Sequence, residues 1–129
     1  DVLTSRGLGD VYKRQLNKHP LVDKVYHPAI ETSENHNIWK RDFTGSTGLF
    51  SFSLKKFYPQ SKIKKMFSKI SIFKLGYSWG GYDSLITFPP LSKRKFKTLL
   101  KGNLIRVYCG LEDSSDQIKD IINSLKTLK

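Results

Sequence analysis

Sulfur and histidine are scarce in this chain, and their scarcity excludes a good deal of chemistry. Cys109 is the one cysteine and Met66 the one methionine, so no internal disulfide can form and no paired-cysteine zinc pattern exists. Three histidines, His19, His27 and His36, stand apart in the sequence without the spacing of metal ligands, and no structural metal is expected. Long apolar runs are missing too. Nothing approaches the roughly 18–20 residues that a membrane-spanning helix needs, and no segment has the order of a secretory signal; the expected compartment is the cytoplasm. There is no glycine loop with a lysine to cradle phosphate, and no nucleophile elbow. Acid is short: 11 Asp and Glu stand against 23 Lys and Arg, for a net charge of +12.

What is present is enough for one folded domain. Of 129 residues, 38% are hydrophobic and 26% charged, which suits a globular chain with a real core rather than a disordered one. The excess base lies mainly in two stretches, Lys55, Lys56, Lys62, Lys64, Lys65 and Lys69, then Lys93, Arg94, Lys95, Lys97 and Lys101. With Phe57, Tyr58, Phe67 and Phe96 interleaved, these stretches read as a nucleic-acid-binding module, one whose affinity would fall steeply with salt. A lysine-, isoleucine- and asparagine-rich composition spread over solvated faces accounts for the same totals. The chain begins with Asp1, and Leu3 to Gln15 reads like a translated sequencing-adapter run. Residues 1–15 are therefore expected to be a non-native leader, and residues 16–129 the folded unit.

Periodicity assigns the elements. Leu16 to Pro20 reads as a helix end stopped by proline, and Val22, Val25 and Tyr26 as a short strand closed by His27-Pro28. Glu34 to Arg41 suits a short helix carrying Trp39. Leu49 to Leu54 alternates, with Phe50 and Phe52 on one face. Gln60 to Lys69 carries Ile63, Met66 and Phe67 at helical spacing, with lysines on the remaining arc. Ile70 to Leu75, Ser84 to Phe88 and Leu104 to Cys109 read as strands. Ile118, Ile121, Ile122, Leu125 and Leu128 mark a final amphipathic helix, capped by Asp113 or Ser114. The sum is an α+β fold, a mainly antiparallel sheet with helices on one face.

Three segments are more specific than a core requires. Tyr77-Ser78-Trp79-Gly80-Gly81-Tyr82 sets a hydroxyl and aromatics against paired glycines, which let backbone approach a ligand or adopt positive φ; a tight turn whose aromatics cover the sheet fits as well. Arg106 interrupts the apolar strand Leu104 to Tyr108. A buried, unpaired guanidinium is very costly, so it either points outward to water or meets a partner, for which a carboxylate matches its planar fork. Gly110-Leu111-Glu112-Asp113 is a turn into the last helix, its acids expected to serve as cap and dipole partner. Cys109 is expected to be a small core residue.

Taken together, Trp39 to Leu54 (WKRDFTGSTGLFSFSL), Tyr77 to Ile86 (YSWGGYDSLI) and Leu104 to Asp113 (LIRVYCGLED) resemble successive landmarks of cystathionine beta-lyases. These belong to the Cys/Met-metabolism group of fold-type I pyridoxal-phosphate (PLP) enzymes. The resemblance covers nearly everything from Leu16 onward and implies the small C-terminal domain of such a lyase. By that resemblance Arg106 would hold the substrate α-carboxylate, and Tyr77, Ser78 and Trp79 would line the substrate pocket. The implied reaction is α,β-elimination from L-cystathionine to homocysteine, pyruvate and ammonia, in a homotetramer whose large domain carries the Schiff-base lysine and most PLP contacts. None of those large-domain residues can be assigned here, so the chain alone is expected to be inactive. Trp79 after Ser78 favours the beta-lyase over the gamma-synthase branch; gamma-synthase, gamma-lyase and cysteine desulfhydrase are the sibling alternatives. Residues 91–101 are shorter and more basic than the resemblance implies.

Overall fold

The computed structural model describes residues 15–89 and 99–128. Among them, five strands form one sheet in the order β1 (Val22–Tyr26), β2 (Leu49–Leu54), β5 (Leu104–Tyr108), β4 (Leu85–Thr87) and β3 (Lys74–Leu75). β1, β2, β5 and β4 pair antiparallel, and β3 runs parallel to β4 at the edge. The fold is thus α+β with a mixed sheet, antiparallel except at that edge. Three helices accompany it, α1 (His36–Asp42), α2 (Gln60–Ser68) and α3 (Ser114–Leu125), the last running into a 3-10 turn at Lys126–Leu128.

Strand alternation sorts the sheet into two faces. Register places Phe50 opposite Val107, Phe52 opposite Ile105 and Ile86 opposite Val107, so these five side chains share a face, and all are buried. Ile63, Met66 and Phe67 of α2 and Ile118, Ile121 and Leu125 of α3 join them in one core. Both helices therefore cover the same side of the sheet. At ~25 cal/mol per Å² of apolar area removed from water, each of these large side chains contributes on the order of 2 kcal/mol.

Two readings need correction. Ile70 to Leu75 does not form a strand along its length; only Lys74 and Leu75 pair with β4. The reason is Asp120 of α3, whose carboxylate accepts hydrogen bonds from the backbone N–H groups of Ser71, Ile72 and Phe73. Those donors are taken up in a turn and are lost to the ladder. The rival nucleic-acid reading finds no stacking surface among the described residues: Tyr58 and Phe67 are each 8% exposed and sit in the core, while Phe57, at 65%, faces water. Phe96 lies outside the described residues, as do residues 1–14 and most of the basic stretch 91–101. Finally, the short helix α1 forms where expected but buries none of its residues.

α3 begins as expected. Asp113 is its N-cap and accepts from the N–H groups of Ser115 and Asp116, which satisfies donors that the first turn leaves unpaired. The Ser115 hydroxyl, which also donates to this carboxylate, and then these two N–H groups hold the Asp113 carboxyl below its ordinary pKa. Glu112 does something else, described below.

Candidate functional site

The face of the sheet opposite α2 and α3 carries the candidate site. On β5, Ile105 and Val107 point into the core, so Leu104, Arg106 and Tyr108 point the other way. Arg106 lies directly between Ser51 of β2 and Thr87 of β4, with Tyr26 of β1 next beyond Ser51. It is half-buried. Among the described residues, no carboxylate pairs with its guanidinium. A positive, five-donor fork thus stands on the face away from α2 and α3, between two small hydroxyl side chains, and its geometry matches a planar anion.

The Tyr77–Tyr82 loop connects β3 to β4 at the end of this face. Tyr77, Trp79 and Tyr82 are 64%, 62% and 73% exposed, so the aromatics do not cover the sheet. Ser78 is exposed as well. Gly80 takes φ of +88°, the left-handed region where a side chain is penalised. Two bonds tether the end of the loop: the Tyr108 hydroxyl donates to the Gly81 carbonyl at 2.8 Å, and the Leu111 N–H donates to the Tyr82 carbonyl at 3.0 Å. Arg106 and the loop residues Tyr77, Ser78 and Trp79 are not hydrogen-bonded to one another among the described residues. Tyr108, on the same face and two positions from Arg106, links that strand to the loop.

Behind the loop lies a buried polar network. Ser84 donates its hydroxyl and its N–H to the two oxygens of Glu112. The same hydroxyl accepts from Gly110 N–H at 2.8 Å and from the Gln117 amide at 3.0 Å. Burial pushes the Glu112 carboxyl up, but the bonds from Ser84, its own backbone and Gln117 together outweigh it and hold the group below its ordinary pKa. Glu112 therefore is not a helix cap; it locks the Gly110–Asp113 turn onto the start of β4. Gly110 is required there, because a Cβ would run into the Tyr82 carbonyl oxygen.

On the far side of the sheet, His27 is 7% exposed and its tautomer is set by its partners. Nε2–H donates to the Thr47 carbonyl at 3.1 Å and Nδ1 accepts from Ala29 N–H at 3.2 Å. Burial lowers its pKa, and the Thr47 bond only partly offsets this. Cys109 is buried beside Gly48. No group of His, Cys, Asp and Glu among the described residues could hold a metal ion, and no described helix is long and apolar enough to cross a membrane.

Sequence reasoning missed Tyr108, Ser84, Gln117 and Asp120. The last two had a signal. They lie three apart on the arc of α3 that also carries Ile118 and Ile121, and a polar residue on a buried arc requires a hydrogen-bonding partner.

Comparison with known proteins matches this arrangement of elements. The cystathionine beta-lyase MetC of Escherichia coli (strain K12) is 44% identical over 115 residues, which are 82% of this chain and 28% of that protein. An L-alanine/L-glutamate racemase of Wolbachia pipientis wMel is 35% identical over 144 residues, covering 98% of this chain and 35% of that protein. The chain therefore spans about a third or less of these relatives. A crystal structure of cystathionine gamma synthase from Xanthomonas oryzae pv. oryzae, in complex with aminoacrylate and cysteine, superposes with a TM-score of 0.80 at 23% identity. That overlay covers 98% of this chain and 34% of the other, and it shows the small-domain fold of fold-type I PLP enzymes. Residues 13–126 match the model of one family, Cys/Met metabolism PLP-dependent enzymes, and the chain belongs to that family.

Proposed function

We propose that this chain is the small-domain portion of a cystathionine beta-lyase, in which it binds and orients the substrate carboxylate. The whole enzyme would cleave L-cystathionine by α,β-elimination to homocysteine, pyruvate and ammonia. The carrying observation is Arg106, a guanidinium with no carboxylate partner among the described residues, on the face away from α2 and α3 and flanked by Ser51 and Thr87. Holding the α-carboxylate at two points would fix rotation about the N–Cα bond, and that rotation decides which bond at Cα breaks. The beta-lyase relatives, at 44% and 42% identity, favour this substrate. A cytoplasmic homotetramer belongs to the same proposal.

The described residues suit the substrate's carboxylate and not the cofactor. No described lysine is buried, and the residues that register places around Arg106, namely Tyr26, Leu49, Ser51, Leu85, Thr87 and Tyr108, include neither an amine nor a carboxylate. When bound, PLP supplies the electron sink for bond breaking at Cα. This chain's residues supply orientation.

The Wolbachia racemase supports a second reading, since the same clamp would serve proton removal and return at Cα of alanine or glutamate. Product analysis on the whole enzyme separates them. Pyruvate and homocysteine from L-cystathionine are the expected products. Cysteine with a four-carbon keto acid would move the assignment to a gamma-lyase, and D-alanine from L-alanine, without sulfur products, to a racemase.

A further inference from the structure

We infer that Tyr108 is a positioning residue that holds the Tyr77–Tyr82 loop in place relative to Arg106. This rests on the reading of Arg106 as carboxylate clamp and names a further residue of the same site. The loop has little packing of its own: its three aromatics are more than half exposed, and Gly81 has no atom within 4 Å of where a Cβ would lie. Loops of that kind open at low free energy. Against this, the Tyr108 hydroxyl donates to Gly81 O at 2.8 Å.

The donor is itself well supported. Register sets Tyr108 between Leu49 on β2 and Leu85 on β4, so neighbours on both sides limit its ring. It belongs to the strand at the centre of the sheet, not to an edge. Arg106 precedes it by two residues on the same face, about 7 Å along the strand. One rigid element thus carries both the guanidinium and the tether of the loop that holds Ser78 and Trp79, and the distance between clamp and loop is set by a strand rise. The second tether, Leu111 N–H to Tyr82 O, comes from the turn that Glu112 and Ser84 lock down. That one holds Tyr82 and Tyr108 holds Gly81 beside it, so the two together fix the end of the loop.

The test is steady-state kinetics of the whole enzyme with L-cystathionine, comparing wild type, Tyr108→Phe and Arg106→Lys, together with melting temperature and amide exchange over residues 77–82. Tyr108→Phe should raise KM roughly threefold to tenfold, the range set by loss of one neutral hydrogen bond, and more than it lowers kcat. Exchange in the loop should quicken while the melting temperature stays within a degree or so of wild type. Unchanged KM in Tyr108→Phe, with Arg106→Lys impaired, would overturn the positioning role and leave the clamp standing. An unimpaired Arg106→Lys would overturn the clamp itself and the inference with it. A fall in melting temperature without a change in KM would make Tyr108 merely structural.

Discussion

Replacing Asp120 with alanine should remove a large fraction of this domain's stability. Oδ1 accepts from Ser71 N–H at 2.9 Å and from the Ser71 hydroxyl at 3.1 Å, while Oδ2 accepts from Ile72 N–H at 2.8 Å and Phe73 N–H at 3.2 Å. Asp120 is 6% exposed, so these bonds form largely out of water. Ser71 is exposed and can turn to solvent; the Phe73 amide cannot, because its residue is 5% exposed. Orphaning a buried amide costs about 1–3 kcal/mol, and charged acceptors strengthen each bond. Adding a partial cost for Ile72 gives about 3–4 kcal/mol. With a urea m-value of ~1.5–2 kcal/mol/M for a chain of this size, the unfolding midpoint should drop by about 2 M at unchanged m. Asp120→Asn keeps one acceptor but turns an NH2 toward two donors, so it should recover little. Urea titration followed by far-ultraviolet circular dichroism measures all three chains. A midpoint shift below ~0.5 M for Asp120→Ala would refute this account of the 71–73 turn.

Three further outcomes can be checked. The His27 pKa is lowered in the fold, so the unfolded chain takes up a proton below its ordinary value of about 6.5 that the folded chain refuses. This contribution to stability is intact above that pH and declines as pH falls from there to the folded pKa; a His27 that titrates above 6.5 by NMR would contradict it. Gly110→Ala should destabilise the domain by about 2–4 kcal/mol, since the methyl would strike the Tyr82 carbonyl and break the turn; calorimetry of variant and wild type would show it. The isolated chain mixed with PLP should not develop a specific, saturable absorption band from a lysine-bound cofactor, because no described lysine is buried. Appearance of such a band would place the cofactor lysine within these residues.

Much of the architecture was legible because periodicity reports burial. Phe50 and Phe52 in alternation, Ile63, Met66 and Phe67 at helical spacing, and Ile118, Ile121, Leu125 and Leu128 of the last stripe reached the core as read, with Ile122 packed against it. Asp113 was legible as a cap because cap chemistry is local. The 70–75 segment was misread because its fate depends on Asp120, some fifty positions away, and no local pattern carries that. Tyr108 was hidden for a related reason: in an apolar strand a tyrosine looks like packing, and only the return of the loop gives its hydroxyl a partner. For Arg106, composition could not choose between an outward residue and a clamp. The structure places it on the face of β5 away from Ile105 and Val107, a position compatible with either reading.

The strand order has a consequence for synthesis of the chain. Among the described residues, β5, at the middle of the sheet, is also the last of the five strands to be made, and it pairs with β2 some fifty residues earlier and with β4 some twenty earlier. Until residue 108 has emerged, β4 has only the two-residue β3 to pair with, and the apolar faces of β2 and α2 lack their cover from β5 and α3. Contacts of such separation form late and slowly, and the nascent chain meanwhile exposes surface on which it can aggregate. A premature stop before Leu104 should therefore yield insoluble chain.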